Sequence, residues 1–141
     1  MVIAFSMTNP RWADKTFSNK KLKIKDFGCA IVSLACLVGK TPNIICDILE
    51  RNNCFTSEGL LDFGQAGKAL GYDYYKTLKE PDAICIAETN FWNKAPYFNP
   101  KHFFVWLATN PLKFIIDSLD GKEKQNEYPV VSWRIFIPRG A

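Results

Sequence analysis

The chain has 141 residues, enough for one domain whose core is self-sufficient and too few for two of ordinary size. Hydrophobic residues make up 48%, charged residues 23% and aromatic residues 14%, which excludes a disordered tail, a coiled coil and a collagen-like rod. The net charge of +4 sits in residues 1–28, where Arg11, Lys15, Lys20, Lys21, Lys23 and Lys25 face only Asp14 and Asp26.

That basic stretch reads as a solvated loop or hairpin anchored by Leu22 and Ile24 rather than as a nucleic-acid site, since no aromatic–basic signature accompanies it. No apolar run approaches the length of a membrane span, and the opening MVIAFSMTNPRW lacks the basic start of a secretory signal. The five cysteines at 29, 36, 46, 54 and 85 are odd in number and form no C-x-x-C, so neither a disulfide framework nor a zinc ribbon is expected. With His102 the only histidine, no metal or other cofactor is expected.

Residues 1–28 read as an irregular lead-in. The apolar run CAIVSLACLVG at 29–39 predicts a buried helix stopped by Gly39 and Pro42. Thr41 is expected to cap a second helix running to about Asn52, with Ile44, Ile45, Ile48 and Leu49 inside. Ser57 is expected to cap a third, ending at Leu70 before Gly71 and turning Leu60, Leu61, Gly64 and Leu70 inward. Strands rich in β-branched and aromatic residues are expected over 72–76, 83–88, 102–108, 113–118 and 130–137. Residues 89–101 read as a long surface loop, with Phe91 and Trp92 edging a cleft. Helices first and strands later predict an α+β fold with an antiparallel sheet.

Gly28-Cys29 opens the apolar helix. A cysteine there meets the positive end of the helix dipole and free N–H groups, which favour the nucleophilic thiolate and are placed to hold an oxyanion. Gly28 is expected to let a substrate backbone approach. Gly39-Lys40-Thr41 is no phosphate loop, because Leu34 stands where that motif needs glycine.

The base must be His102, which opens HFFVW. A turn centred on Asn110-Pro111 sets Asp117 across from Phe104, on the face that His102 shares, so that the two are diagonal neighbours. A register one residue off would separate them. Asp120, in a turn with Gly121, is the competing carboxylate.

These segments, GCAIVSLACLVGKTP, then HFFVW, then IIDSLDG, resemble the C39-like branch of papain-fold cysteine peptidases. Asn-Pro-Arg-Trp at 9–12 and Leu60-Leu61-Asp62 resemble its small bacterial and phage versions. The resemblance covers most of the chain. It implies a single C39-like domain over 1–141, papain-like, with N-terminal helices packed on a C-terminal antiparallel sheet and the nucleophile on the first core helix. It implies Cys29 as nucleophile, His102 as base and Asp117 as orienting acid, acting on a peptide or isopeptide bond. An amidase or acyl-transfer reaction would use the same residues.

The expected partners are a peptide or protein substrate, a cell-wall peptide among them, or a larger phage or bacterial assembly. Nucleic acid and a membrane span are not expected. The expected location is cytoplasmic or virion-associated, without a signal peptide. The family's oxyanion glutamine has no counterpart, since Lys23, Ile24 and Lys25 stand there, and Ala30 replaces the glycine that often follows the cysteine. The backbone N–H of Cys29, with Asn19, is the expected oxyanion pair. The alternative reading is a catalytically inactive version of the fold that serves as a binding module or virion component.

Overall fold

The computed structural model describes residues 2–90, 101–109 and 111–140. The expected loop over 89–101, including Phe91 and Trp92, lies almost wholly outside them. The chain is α+β, with four helices and a six-stranded sheet among the described residues, every strand pair antiparallel.

The basic lead-in is a short hairpin of β1 (Thr16–Phe17) and β2 (Leu22–Lys23), anchored as expected by fully buried Ile24 and partly buried Leu22. A single turn, α1 (Ile24–Phe27), leads through Gly28 into α2 (Cys29–Val38). Every residue of α2 from Cys29 to Cys36 is buried, and Gly39 ends it at φ +80°, a left-handed conformation that glycine adopts freely.

α3 (Pro42–Arg51) starts on Pro42, and Thr41 occupies its cap position without a side-chain cap bond. Its inner face is Pro42, Ile45, Cys46 and Leu49. The expected Ile44 is exposed, because it points away from the stripe that the i, i+3, i+4, i+7 spacing turns toward α2.

The third helix starts later than expected. Thr56 and Gly59 close a turn, Phe55 and Leu61 bridge, and Leu60 is exposed. The cap of α4 (Phe63–Leu70) is Asp62, whose carboxylate accepts from Gln65 N–H at 3.0 Å. Gly67 weakens the helix intrinsically but permits its packing: a Cβ there would meet Tyr72 O at 3.1 Å and Tyr74 Cβ at 3.3 Å.

The sheet order is β3-β8-β4-β5-β6-β7. The strands are β3 (Tyr72–Thr77), β4 (Cys85–Thr89), β5 (His102–Trp106), β6 (Phe114–Asp117), β7 (Lys122–Gln125) and β8 (Val130–Pro138). β7 was not expected, because KEKQ has no apolar alternation. It is a charged edge strand joined to β6 through the Asp120-Gly121 turn.

One sheet face sends Ile86, Val105, Ile116 and Phe136 into the core beneath the helices. The other holds a second core of Cys85, Ala87, Phe104, Trp106, Ile115, Trp133 and Ile135. β4 and β5 are therefore covered on both faces, which explains their near-continuous apolar sequence. Among the described residues no single helix is long and apolar enough to cross a membrane.

Candidate active site

Cys29 is the first residue of α2 and is 7% exposed. The first intrahelical bond runs from Val32 N–H to Gly28 O, so the N–H groups of Cys29, Ala30 and Ile31 have no acceptor within the helix. Gly28 serves packing rather than substrate approach: a Cβ there would lie 2.6 Å from Ile24 O and 2.8 Å from Ile24 Cγ2.

His102 opens β5, paired with Thr89. Val105 pairs with Ile116 and Trp106 with Ile115, the register expected from the hairpin turn. It carries Asp117 to the diagonal of His102, and His102 Nε2 donates to Asp117 Oδ1 across 2.9 Å. Both side chains are 2% exposed. The Cys29 thiol lies near enough to the same imidazole to favour its protonated form. With Nε2 committed to Asp117, Nδ1 is the nitrogen left for sulfur. Residues 29, 102 and 117 thus converge from one helix and two strands.

Asp117 is held from four sides. Leu119 N–H donates to Oδ1 at 3.1 Å, Tyr128 Oη–H donates to Oδ2 at 2.7 Å, and Lys124 Nζ lies 3.6 Å from Oδ2. Tyr128 is in turn clamped by Asn126, whose side chain meets both its N–H and its carbonyl at 2.9 Å. The phenol ring stands edge-on to His102, with centroids 5.6 Å apart. From the N terminus, Met7 N–H bonds Ser118 O and Ser6 Oγ bonds Leu119 O, pinning the turn that carries the carboxylate.

Burial opposes charge on His102, but the Asp117 and Cys29 interactions outweigh it and push the imidazole up to about 9. Burial likewise works to raise the Asp117 carboxyl. The hydrogen bonds and charge of His102, with those of Tyr128 and Leu119, win and hold it well below the usual carboxylate range. Burial, followed by the Asp117 carboxylate, pushes the Tyr128 phenol up, so it stays a donor. The other thiols are buried and raised: Cys36 to about 11, Cys46 and Cys85 to about 12, and Cys54 in the same direction.

Asp120 does not reach the imidazole. It accepts from Lys122 N–H at 2.9 Å and pairs with Lys124 at 2.8 Å. Asn19 is exposed at the tip of the β1–β2 hairpin and is not among the residues that line the cleft beside Cys29. Where the glutamine was sought, Ile24 is buried under Gly28 and Lys23 and Lys25 pair with Asp14. Sequence reasoning missed Tyr128 and Lys124. The Asp-Gly dipeptide at 120–121 was the signal that could have found the strand bearing Lys124.

Beside Cys29 lies a cleft of about 210 Å³, walled by Phe17, Phe27, Phe55, Leu61, Phe63 and Phe103. Among the described residues no group of three or more His, Cys, Asp or Glu side chains could hold a metal ion. No family model, curated protein or solved structure matches this chain.

Proposed function

We propose that this protein is a thiol hydrolase of the papain-like, C39-like kind, cleaving a peptide or isopeptide bond. The observation that carries the reading is the buried imidazole of His102, hydrogen-bonded to Asp117 and close to the Cys29 thiol at a helix N terminus.

The chemistry follows from those roles. Cys29 gives its proton to His102 and its sulfur attacks the carbonyl carbon. The N–H groups in the first turn of α2 donate to the developing oxyanion. His102 returns the proton to the leaving amine as the C–N bond breaks, leaving a thioester. Water then attacks the thioester, giving its proton to His102, and the acid departs as the thiol is restored. Asp117 keeps the imidazole in one tautomer and orientation and stabilises its cation throughout.

The second reading is a non-catalytic binding module or virion component. It is favoured by the lack of a side-chain amide donor at Lys23, Ile24 and Lys25.

Timed alkylation with iodoacetamide at pH 6, followed by peptide mapping, separates the two. A hydrolase should label at Cys29 far faster than at Cys36, Cys46, Cys54 or Cys85. Uniform slow labelling of all five thiols supports the binding module and overturns the first reading.

A further inference from the structure

The cleft beside Cys29 has a chemical asymmetry that bond cleavage alone does not explain. Its walls are apolar, yet the charged side chains lining it are Lys101 and Arg134, and no carboxylate lines it among the described residues. The acid that pairs with both cations, Glu88, is 4% exposed and is not part of the cleft lining. Its Oε1 accepts from Arg134 Nη1 at 2.7 Å and from Ser132 Oγ at 2.8 Å, and its Oε2 lies 3.7 Å from Lys101 Nζ. Among the described side chains one carboxylate faces two cations at this end of the cleft.

Arg134 is also held in place. Its guanidinium carbon lies 4.6 Å from the centre of the Phe63 ring and 5.0 Å from that of Phe103, both of them cleft walls. Its Nε is buried with no hydrogen-bond partner. The N terminus of α2 adds to the positive potential from the other side.

We infer that the site selects acyl substrates bearing a carboxylate next to a bulky apolar group, such as an acidic–aromatic peptide. The carboxylate meets Arg134 and Lys101, and the apolar group lies against Phe63 and Phe103. This rests on the reading of Cys29 as a nucleophile.

Two alkylating reagents test it, because iodoacetate and iodoacetamide form the same sulfur–carbon bond, expel the same iodide and differ in one negative charge. Glutathione serves as the free-thiol reference. The ratio of iodoacetate to iodoacetamide rates at Cys29 should exceed that of glutathione by about 10-fold and fall as salt rises.

The imidazolium of His102 also attracts anions, so the Arg134 and Lys101 share must be isolated. Lys101→Met changes an exposed side chain and should lower the ratio several-fold. Arg134→Met combined with Glu88→Gln removes one charge of each sign, so it reads the direct contact with Arg134 and should lower the ratio less. The C-terminal amide of N-acetyl-Phe-Glu should protect Cys29 from iodoacetamide, and the C-terminal amide of N-acetyl-Phe-Gln should not.

Rapid iodoacetamide labelling with a ratio that ignores both variants, or equal protection by the two dipeptides, overturns the charge selection and leaves the hydrolase reading standing. Slow labelling by both reagents overturns the hydrolase reading and the selection with it.

Discussion

Two buried ionic clusters on the same sheet are wired alike. In one, on β5, β6 and β7, the Asp117 carboxylate is met by a hydroxyl from Tyr128, a buried cationic partner in His102 and a lysine, Lys124, at the solvent edge. In the other, on β4 and β8, the Glu88 carboxylate is met by a hydroxyl from Ser132, by Arg134 and by Lys101.

The difference is the cation. A guanidinium does not release its proton under any condition the fold survives, whereas an imidazole can. The Glu88 cluster therefore holds a permanent charge, suited to fixing β4 against β8 and presenting a cation to the cleft. The His102 cluster holds a proton that can move, and it alone touches a thiol. On the proposed reading, similar electrostatic support serves recognition in one place and acid–base chemistry in the other.

The sharpest way to break this comparison is to alter each carboxylate in turn. Asp117→Asn keeps the shape but frees the wrong tautomer of His102, and hydrolysis of a peptide or ester substrate should fall by about 10⁴-fold while the fold survives. Asp120→Asn, which touches Lys122 and Lys124 but not the imidazole, should leave the rate nearly unchanged and shift stability by less than about 1 kcal/mol. Loss of activity in the second variant and not the first would transfer the orienting role to Asp120.

The Glu88 cluster should respond in stability instead. Arg134→Met leaves a buried carboxylate without its main partner and should cost about 3–5 kcal/mol in urea unfolding. Replacing both residues, Glu88→Leu with Arg134→Met, should recover most of that loss. An undisturbed midpoint in the single variant would mean that Glu88 is solvated well enough to need no partner.

A pH series sharpens the contrast further. The imidazole of His102 binds its proton more tightly folded, near 9, than at its ordinary 6.5. Its contribution to stability is complete below 6.5 and is lost as pH rises through about 9. Asp117 is shifted the other way, so its contribution is complete above the ordinary 3.8 and is lost as pH falls. The melting temperature should peak between 3.8 and 6.5 and decline toward pH 9, and His102→Gln should remove the alkaline decline. Peptide turnover should fall over the same alkaline range, since the leaving amine needs the imidazolium proton.

A smaller loss than that of Asp117→Asn is expected at Tyr128. Tyr128→Phe removes the 2.7 Å donor to Asp117 and keeps the ring against His102. The rate should fall about 10-fold through kcat, with KM little changed, because a charge-assisted hydrogen bond is lost without touching substrate. A change in KM alone would place the phenol in substrate binding.

Local rules made much of this legible. Gly39 and Pro42 bound a helix wherever the chain goes next, and Asn110-Pro111 sets a hairpin parity that makes Asp117 a neighbour of His102 from sequence alone. Cys29 at a helix mouth was readable because an apolar run after Gly28 has one sensible secondary structure.

What only the tertiary structure decided involves separations no local rule spans. That α1 can run straight into α2 depends on Gly28, where a side chain would collide with Ile24. That Glu88 meets Arg134, 46 residues on, depends on β8 crossing back to lie between β3 and β4. Tyr128 reaches Asp117 only because β7, an edge strand with no apolar pattern, returns the chain beside it. Periodicity reports which face of an element meets the core. It carries no information about which polar side chains from distant elements share a buried space, because that depends on the packing of all the elements together.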